Sequence, residues 1–564
     1  MYQRSSMSPP DESGPSGPAA DVSTDGGAAR PAAKKGWRFW LIFFALSVTV
    51  FLAALDTSII STALPTIAAS LHSQELYVWT INAYLLASTS VQPMFGQTAN
   101  IFGRRSMTIL SVLLFMLGSG LAGGAKNESM MIAGRAIQGI GGGGITTLSE
   151  IVVCDLVSLR ERGQYAGIIG AVWAVGSVVG PILGGAFAED VTWRWIFYIN
   201  LPLSGLALAL LIPFMKVNHR REGTIWQRLA RVDWLGNTIL ILSVVSILLA
   251  LTWAGSIHAW SSWRTIVPLV LGLLGLVAFL AYETAPWVTE PTMGMHLFSN
   301  RTSSATYIMS FLHGMILYWV CYFLPVYFQA VLNASPKRSG VELFPTATVT
   351  SAFAVIAGML ITITGHYRAF HFIGFALMTI ACGLFTLLTE HSPTGYWVGF
   401  QILFGAGCGT VFTSCLPPIL AALPETEVAT ATATWTFLRS FGSIWGTAIP
   451  SVVFNSRVNH IIRSQYPTLP AKNLLLDGGA YEHATARFMR SFNATPALKR
   501  TIVAIYVRGL QTVWQVSIAF AGLGFLVALF VRQLTLRDEL STEFGLQEKS
   551  ETKEAADGVV RVSP

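Results

Sequence analysis

The segment Gly96–Arg105, GQTANIFGRR, joins two long apolar runs and decides how the rest of the chain is interpreted. One run covers about residues 76–95, and the other about residues 106–125. Each is long enough to cross a bilayer as a helix, because about 20 apolar residues span the hydrocarbon core. The adjacent Arg104 and Arg105 are typical of a short cytoplasmic connection. The segment therefore predicts a tight polar loop between two transmembrane helices.

The composition points to the same class of protein. The 564 residues are 52% apolar and only 12% charged, and the mean hydropathy is +0.55. Soluble domains carry about a quarter charged residues. Long apolar runs favour helices over a transmembrane barrel, whose strands are shorter and alternate. We therefore expect an all-α polytopic membrane protein. The net charge of +7 does not indicate nucleic acid, since Lys and Arg concentrate in loops and tails.

The apolar runs predict fourteen transmembrane helices with both termini in the cytoplasm. The predicted spans are about 38–61, 76–95, 106–125, 130–153, 165–187, 195–215, 234–253, 264–282, 305–329, 340–364, 370–389, 396–422, 428–455 and 509–531. Basic residues of the short loops lie mostly in loops assigned to the inside, which supports this orientation. The long loop 456–508 is assigned outside although it is rich in Lys and Arg.

Five segments follow from these spans. They are a disordered cytoplasmic tail (1–36), an N-terminal six-helix bundle (37–215), a basic linker with two inserted helices (216–300), a C-terminal six-helix bundle with the extracellular loop 456–508 (301–531) and a second disordered cytoplasmic tail (532–564). The first tail is rich in Ser, Pro and Gly and has no apolar core typical of a signal peptide. The segment 216–233 predicts a surface helix.

Predicted spans one and four contain charged residues that are candidates for proton coupling. Asp56 lies in LDTSIISTALP, which closes span one, and Arg135 and Glu150 lie in span four. A charged side chain in a membrane helix costs about 2.5–3.5 kcal/mol on insertion scales, so it is expected to face an aqueous cavity or an opposite charge. Asp56 can therefore bind and release a proton within the bundle. The alternatives are an acid at a helix end facing water and an arginine that only joins helices.

Small residues recur at a spacing of four in two predicted spans. Span four contains Gly139 in RAIQGIGGGG, and span five contains GSVVGPILGG. The second motif comprises Gly176, Gly180, Pro181, Gly184 and Gly185. Such spacing lets a neighbouring helix approach closely, and a proline removes a backbone hydrogen bond and bends the helix. Generic small-residue packing is the alternative interpretation.

Together these motifs resemble the major facilitator superfamily, specifically the fungal toxin and multidrug efflux branch of the fourteen-helix drug:proton antiporters. The resemblance covers about residues 38–531. Gly96, Gly103, Arg104 and Arg105 match the family's loop between spans two and three, whereas Asn100 replaces its aspartate. That replacement implies weaker contacts between helix ends. The span-four motif resembles the one associated with proton coupling, and the span-five motif resembles the exporter signature.

The resemblance also implies roles for residues elsewhere in the chain. It implies two six-helix bundles, with the cargo site near the midplane between them. Asp56, Arg135 and Glu150 would serve proton coupling. Residues of the conformational motifs would be Gly96, Asn100, Gly103, Arg104, Arg105, Gly139, Asp155, Arg162, Gly176, Gly180, Pro181, Gly184, Gly185 and Arg439. Residues of the substrate cavity would be Trp79, Tyr84, Trp173, His313, Tyr318, Tyr322 and Trp435, which suit a bulky amphipathic cargo.

The resemblance implies a proton-coupled secondary transporter that exports a hydrophobic or amphipathic small molecule. A proton symporter importing a solute such as a siderophore is one alternative, and a non-transporting receptor or scaffold is another. We expect no enzyme activity and no cofactor, because neither a phosphate-binding loop nor a nucleophile constellation occurs.

The expected partners are cargo, protons and the lipid bilayer, without nucleic acid, and the chain is expected to be monomeric. The expected location is the plasma membrane, and a vacuolar or vesicle membrane stays open. The five cysteines lack metal-ligand spacing. Predicted glycosylation sites are Asn127, Asn333 and Asn493.

Overall fold

A computed structural model describes residues 35–71, 76–216, 223–254, 258, 260–288 and 290–538. Regular structure in these ranges is helical, apart from one isolated bridge between Ala254 and His258. Most of the predicted N-terminal tail, residues 1–34, lies outside the described residues, as do residues 217–222 of the predicted linker.

The first half of the chain forms a helical bundle. Its helices are α1 (Trp37–Ser70), α2 (Leu76–Ser90), α3 (Gln92–Phe102), α4 (Arg104–Gly123), α5 (Glu128–Leu156), α6 (Arg162–Ala186), α7 (Trp195–Tyr198) and α8 (Asn200–Phe214). Helix α5 packs on α4 and α2, while α1 packs on α6 and α8. Because α2 continues into α3 and α7 into α8, these helices correspond to six spans. A π-helical turn, Phe187–Val191, follows α6.

The inserted pair and the second half follow. The linker helix is α9 (Ile225–Arg231), and the inserted pair is α10 (Trp234–Trp253) and α11 (Trp263–Glu283). The second half contains α12 (Arg301–Val326), α13 (Pro336–Glu342), α14 (Phe344–Thr364), α15 (Arg368–Phe385), α16 (Thr394–Ser414), α17 (Leu416–Ala421), α18 (Val428–Gln465), α19 (Lys472–Leu475), α20 (Gly479–Glu482), α21 (Ala486–Ser491) and α22 (Pro496–Ala528). Short 3-10 turns cover Met295–Phe298 and Glu425–Glu427, and a π turn covers Tyr327–Val331.

The length and apolarity of the helices in the structure agree with most of the predicted spans. Within the described residues, 11 helical segments are long and apolar enough to cross a membrane. The other three predicted spans fall on the interrupted pair α2–α3 and on the more polar helices α5 and α18. Helix α5 carries Arg135 and Glu150 within its length, and both are buried. Packing inside a bundle therefore compensates for the lower apolarity of these helices.

The segment Gly96–Arg105 differs from its prediction as a loop. Helix α3 continues to Phe102, and α4 begins at Arg104, so Gly103 alone separates them. Gly103 has φ 88°, a conformation that glycine adopts without the steric penalty of a Cβ atom. The turn is thus much shorter than the polar stretch, because Gln97 and Asn100 lie on a helix that is packed against other helices.

The predicted extracellular loop 456–508 is also shorter than expected. Helix α18 extends to Gln465 and α22 begins at Pro496, and α19–α21 lie between them. Leu475, Ala480 and Met489 from this connection are buried in the core of the second bundle. Tyr506 Oη donates a hydrogen bond of 2.7 Å to the Ala480 carbonyl. The connection is therefore folded onto its bundle.

The predicted disordered tail from residue 532 begins with an ordered segment. Residues Arg532–Asp538, here named the C-terminal strap, cross the ends of several helices. Tyr367 Oη donates to the Arg532 carbonyl at 2.7 Å, and the Arg160 amide donates to the Arg537 carbonyl at 3.3 Å. Because Tyr367 and Arg160 belong to different halves, the strap contacts both bundles. The predicted boundary at 532 is wrong by at least these seven residues, and residues 539–564 lie outside the description.

The two bundles meet closely at one end, here named the arginine-rich face because Arg104, Arg160 and Arg162 lie there. Gly96 on α3 packs against Ala433 on α18. Gly358 on α14 lies against the Gly163 carbonyl group on α6. A side chain at either glycine would overlap the opposite bundle, so both glycines allow the closed contact at this face.

Gly118 and Gly120 on α4 give a matched test of helix packing. A Cβ atom at Gly118 would overlap the backbone of Gln138 on α5, whereas one at Gly120 would meet nothing within 4 Å. We expect Gly118→Val to destabilise the fold by about 1–3 kcal/mol through overpacking. Gly120→Val should leave stability nearly unchanged. Thermal melting of the purified variants measures both, and equal melting temperatures would contradict the packing described for α4 and α5.

Candidate functional site

Asp56 lies at the centre of a buried polar network in the first bundle. Its side chain is 0% exposed. Arg135 Nη1 donates to Asp56 Oδ2 at 2.7 Å, and Gln138 Nε2 donates to Asp56 Oδ1 at 2.7 Å. Asn200 Nδ2 donates to the same Oδ1 atom at 3.0 Å. Three helices, α1, α5 and α8, are therefore joined through one carboxylate, and Asp56 does not face water as a helix-end acid would.

Arg135 connects this network to α2. Its Nε donates to the Thr80 carbonyl at 2.9 Å, and its Nη1 donates to Gln138 Oε1 at 2.6 Å. The guanidinium lies 4.4 Å from the ring centroid of Tyr84, which is a cation–π distance. Asp56 and Arg135, predicted as partners, are thus in direct contact, and Tyr84, predicted for the cavity, packs on the same guanidinium.

The glycines of α5 permit this close arrangement. A Cβ atom at Gly139 would overlap the Tyr84 backbone, and one at Gly143 would overlap the Ser88 carbonyl. Gly141 faces the Phe115 backbone of α4 in the same way. Two neighbouring helices therefore approach α5 closely on different sides, as the small-residue motif predicts.

The small residues of α6 contact α1. Gly176 faces Ala54 and the Phe51 carbonyl, and Gly180 faces Ser58. Pro181 lies inside α6, and Gly184 is buried, whereas a Cβ atom at Gly185 would meet nothing within 4 Å. Gly176, Gly180 and Gly184 thus lie in the packed part of α6, and Pro181 interrupts its backbone hydrogen bonding. Packing does not require a glycine at position 185.

The turn at Gly103 holds a second buried ion pair. Arg104 Nε donates to Asp155 Oδ2 at 2.8 Å, and both side chains are almost fully buried. Arg104 Nη1 also donates to Asn100 Oδ1 at 2.7 Å. The nearby Arg105 is less buried and donates to the Ile212 carbonyl at 2.6 Å. The pairing of this turn with the turn after α5 is therefore carried by Arg104 and Asp155.

Asn100 donates a hydrogen bond between the bundles, which an ionised aspartate cannot do. Its Oδ1 atom accepts from Arg104, and its Nδ2 atom donates to Thr430 Oγ1 of α18 at 3.3 Å. The amide thus binds within the first bundle and across to the second. A carboxylate has no hydrogen to donate to Thr430. The expected weakening of contacts at this position is offset by a hydrogen bond between the bundles.

Further contacts close the arginine-rich face. Arg162 Nη2 donates to Glu425 Oε2 at 3.2 Å, and Arg537 of the C-terminal strap pairs with Glu425 Oε1 at 3.3 Å. Arg160 Nε donates to the Thr362 carbonyl at 2.6 Å. Arg160 Nη1 pairs with Asp538 of the strap at 3.1 Å. Arg160 thus contacts both the second bundle and the strap, and Arg162 contacts Glu425, which also pairs with the strap.

Glu150 and Arg439 belong to opposite bundles. Glu150 on α5 is 4% exposed. Arg439 on α18 lies 4.4 Å from the Trp435 ring centroid and 4.8 Å from that of Phe412. Cys154 and Trp435, one helical turn from Glu150 and Arg439 respectively, pack in one core cluster, which brings these segments of α5 and α18 together. No hydrogen bond or ion pair between Glu150 and Arg439 occurs among the described residues.

The remaining residues predicted for the cavity fall into separate surroundings. Tyr318 and Tyr322 stack at 6.0 Å on α12, and Trp79 packs at 6.4 Å on Trp253 of the inserted pair. His313 is buried, and its Nε2 atom lies 3.0 Å from the Cys408 carbonyl. Trp173 packs against the core of the first bundle.

A family comparison agrees with this architecture. Residues 46–447 match the family model described as Major Facilitator Superfamily. The chain belongs to the Major Facilitator Superfamily. The solved structure of the human organic anion transporter MFSD10 (TETRAN) has a TM-score of 0.56 at 15% identity and covers 88% of this chain and 100% of that one. The proton:xylose symporter XylE has a TM-score of 0.53 at 14% identity, over 89% and 98%. At these identities the two structures support the fold alone.

Curated relatives within the superfamily are much more similar in sequence. "Efflux pump FUS6" of Gibberella fujikuroi is 61% identical over 96% of this chain and 98% of that protein. "MFS-type efflux pump LUC4" of a Fusarium species is 62% identical over 93% of both. "Acurin A biosynthesis cluster MFS-type transporter" of Aspergillus aculeatus is 59% identical over 91% and 93%. These comparisons confirm the superfamily and the all-α polytopic membrane fold.

Sequence reasoning missed several polar partners of this facilitator's buried charges. Gln138 and Asn200 both bind Asp56, and both also contact Ser119 Oγ, at 2.7 and 3.3 Å. Gln138 lies three residues after Arg135, so helical spacing could have placed both on one face. Asn200 and Ser119 give a weaker signal, because single small polar residues are common in membrane helices.

Other expectations concern cysteines, metals and glycans. All five cysteines are free, and only Cys321 is not fully buried. The described residues contain no cluster of His, Cys, Asp or Glu that suits a metal ion. Asn127 and Asn493 are exposed, whereas Asn333 is half-buried. Glycosylation of these three residues stays a prediction.

The Arg104–Asp155 pair predicts a large stability difference between two acids. Asp155→Asn leaves the buried Arg104 without its charge partner, so we expect a loss of about 3–5 kcal/mol. The matched control is Asp477→Asn, whose ion pair with Arg463 is mostly exposed. That pair should contribute at most about 1 kcal/mol. Thermal melting in detergent measures both, and a neutral Asp155→Asn variant would contradict the assignment.

Proposed function

We propose that this facilitator exports an amphipathic small molecule in exchange for protons, by alternating access between its two bundles. The observation that carries the proposal is the buried Asp56–Arg135 pair with its network of amide donors. The fungal relatives named as efflux pumps supply the direction. The relative from the acurin A cluster supports a secondary metabolite as cargo.

The chemistry of the Asp56 network suits proton exchange. While ionised, Asp56 accepts three hydrogen bonds and neutralises Arg135 within the bundle. A proton on Asp56 removes the charge attraction to Arg135, so the guanidinium depends more on the Thr80 carbonyl and the Tyr84 ring. Both groups belong to α2, whose continuation α3 packs on α18. Protonation at Asp56 therefore acts on a helix at the bundle interface.

The contacts at the arginine-rich face define a conformation that is closed at this face. The arginine-rich face is closed by Arg160, Arg162, Asn100 and the C-terminal strap. The distribution of basic residues favours this face as cytoplasmic. An exporter must open this face to take up cargo, so these contacts must break in each cycle. The Arg160–Asp538 and Arg537–Glu425 pairs are partly exposed and are suited to this, because such pairs contribute little to stability.

The proposed location is the plasma membrane, since an exporter must discharge cargo outside the cell. The structure describes one chain, and we propose that a single chain is the transport unit, because both bundles and both charged pairs are complete within it. These assignments do not require any residue from a second copy.

The decisive experiment measures accumulation of acurin A in proteoliposomes with an acidic lumen. One pH unit corresponds to about 1.4 kcal/mol, so each coupled proton supports about tenfold accumulation. We expect the wild-type chain to reach this level and Asp56→Asn to show no gradient-driven accumulation. Asp56→Asn should still exchange cargo between the two sides without a gradient, since its binding site is intact.

The exposed-acid variant Asp477→Asn is the control and should behave as the wild type. Full gradient-driven accumulation by Asp56→Asn would exclude the coupling role of this carboxylate. Accumulation only when the lumen is alkaline would support the alternative of proton-driven import. A folded protein that moves neither acurin A nor protons would support a receptor or scaffold.

Removing the charge of Glu425 is expected to shift the balance between the closed and open conformations of the arginine-rich face. Glu425→Gln removes the acceptor charge for both Arg162 and Arg537, so the arginine-rich face should open more often. Spin labels at Ser106→Cys and His366→Cys, which lie at exposed positions on opposite bundles, report the separation of the bundles at this face. In a Cys321→Ala background, we expect the population at long distance to increase. An unchanged distance distribution would show that Glu425 does not hold the bundles together.

A further inference from the structure

Glu150, Arg439, Trp435 and Phe412 form a group that we name the central charged cluster. Glu150 belongs to α5 of the first bundle, whereas the other three belong to the second bundle. Glu150 and Trp435 are 4% and 1% exposed, whereas Arg439 and Phe412 are half-buried. It brings a carboxylate and a guanidinium together across the interface between the bundles, where alternating access requires cargo to bind.

The hydrogen-bonding capacity of this cluster is not satisfied by the protein. Arg439 Nη1 and Trp435 Nε1 are buried without a hydrogen-bond partner among the described residues. No hydrogen bond to the Glu150 carboxylate occurs within the same ranges. Buried donors and acceptors in native proteins are almost always paired, so an unpaired set at one place requires an explanation.

Two other buried ion pairs in the same chain show how saturated pairs are built. Asp56 binds Arg135 directly at 2.7 Å, and Asp155 binds Arg104 directly at 2.8 Å. Each of these arginines also donates to a carbonyl group. Glu150 and Arg439 carry opposite charges but make no such contact. A purely structural pair would be expected to close, which distinguishes this cluster from the other two.

The position of Arg439 is fixed from several sides. Its guanidinium packs on the rings of Trp435 and Phe412, and Gly314 of α12 lies directly against its carbonyl group. The guanidinium is thus held by its stem and by aromatic faces, while Nη1 stays available. A group held in this way is preorganised to bind a ligand, because little side-chain freedom remains to be lost.

We propose that the central charged cluster binds the polar head group of the cargo, and that it selects a neutral head with a hydrogen-bond acceptor beside a donor. An amide or a hydroxyketone has this pattern. Its carbonyl oxygen accepts from Arg439 Nη1, its N–H or O–H donates to the Glu150 carboxylate, and the rings contact its apolar part. This inference rests on the proposed export function, because it assumes that cargo occupies the interface.

The charges of the cluster explain the selectivity for a neutral head. One positive and one negative group cancel, so a neutral ligand leaves the site balanced. A carboxylate head would be repelled by Glu150, and an ammonium head would be repelled by Arg439. Removing either protein charge should therefore reverse the preference in a direction that depends on which charge is removed.

The test uses three probes with the same pyrene ring and four-carbon chain: pyrenebutyramide, pyrenebutyrate and pyrenebutyl trimethylammonium. Binding to the chain in nanodiscs is measured as quenching of tryptophan fluorescence, with empty nanodiscs as the correction for lipid partition. The wild type should bind the amide most tightly. Glu150→Gln should shift the affinity ratio towards the butyrate, and Arg439→Gln should shift it towards the ammonium probe, each by about tenfold.

Several variants make the result decisive. The double variant Glu150→Gln/Arg439→Gln should again prefer the amide, with weaker affinity, and Arg439→Lys should keep the wild-type order. Asp477→Asn removes a remote exposed charge and should change nothing. Melting temperature and size-exclusion profile establish that each variant folds. If Arg439→Gln does not fold, Glu150→Gln alone decides.

Equal affinity ratios in the wild type and in every folded single-charge variant would overturn the proposal, as would failure of the wild type to bind any probe. A uniform loss of affinity for all three probes would show that the cluster is structural and would overturn it too. The assay uses no proton gradient. A failure of proton coupling in liposomes therefore leaves this result unaffected, and the reverse also holds.

Discussion

The buried contact between Asp56 and Arg135 is the constraint on which the arrangement of the first bundle depends. Either charge alone would be costly inside a membrane helix. Asp56 and Arg135 neutralise each other within the protein, and Gln138 and Asn200 add hydrogen bonds to Asp56. The contact sets the distance between α1 and α5 and requires the glycines that bring α2 close. A geometry that serves stability in this way also places an ionisable group where a change in its charge affects several helices.

The number and order of the membrane helices could be predicted because lipid imposes a simple rule on sequence. Spans such as α10 and α11 are continuous apolar runs, and their ends agree with the prediction to within about two residues. Helices α5 and α18 are less apolar, but their apolar runs still predict spans at 130–153 and 428–455, and α18 continues ten residues beyond its predicted end. The polar turn at Gly103 was predicted too long, since helical packing of Asn100 against another bundle is not visible in local sequence.

The candidate site was only partly accessible from sequence, for physical reasons. A charge in an apolar helix stands out, so Asp56, Arg135 and Glu150 were identified individually. The partner of each charge depends on helix rotation and on contacts between distant segments. Asn200 reaches Asp56 from a position 144 residues away, and Glu425 joins Arg162 across 263 residues. The ordered strap after residue 531 was missed because its composition resembles that of a tail, and its order comes from contacts with Arg160 and Tyr367.

The amide of Asn100 has a consequence for how the transporter responds to its surroundings. The attraction of a carboxylate at this position to arginine would weaken at high ionic strength. The amide carries no net charge, so its hydrogen bond to Thr430 does not depend on ionic strength in this way. One of the links between the bundles is therefore insensitive to salt, unlike the ion pairs that lie beside it.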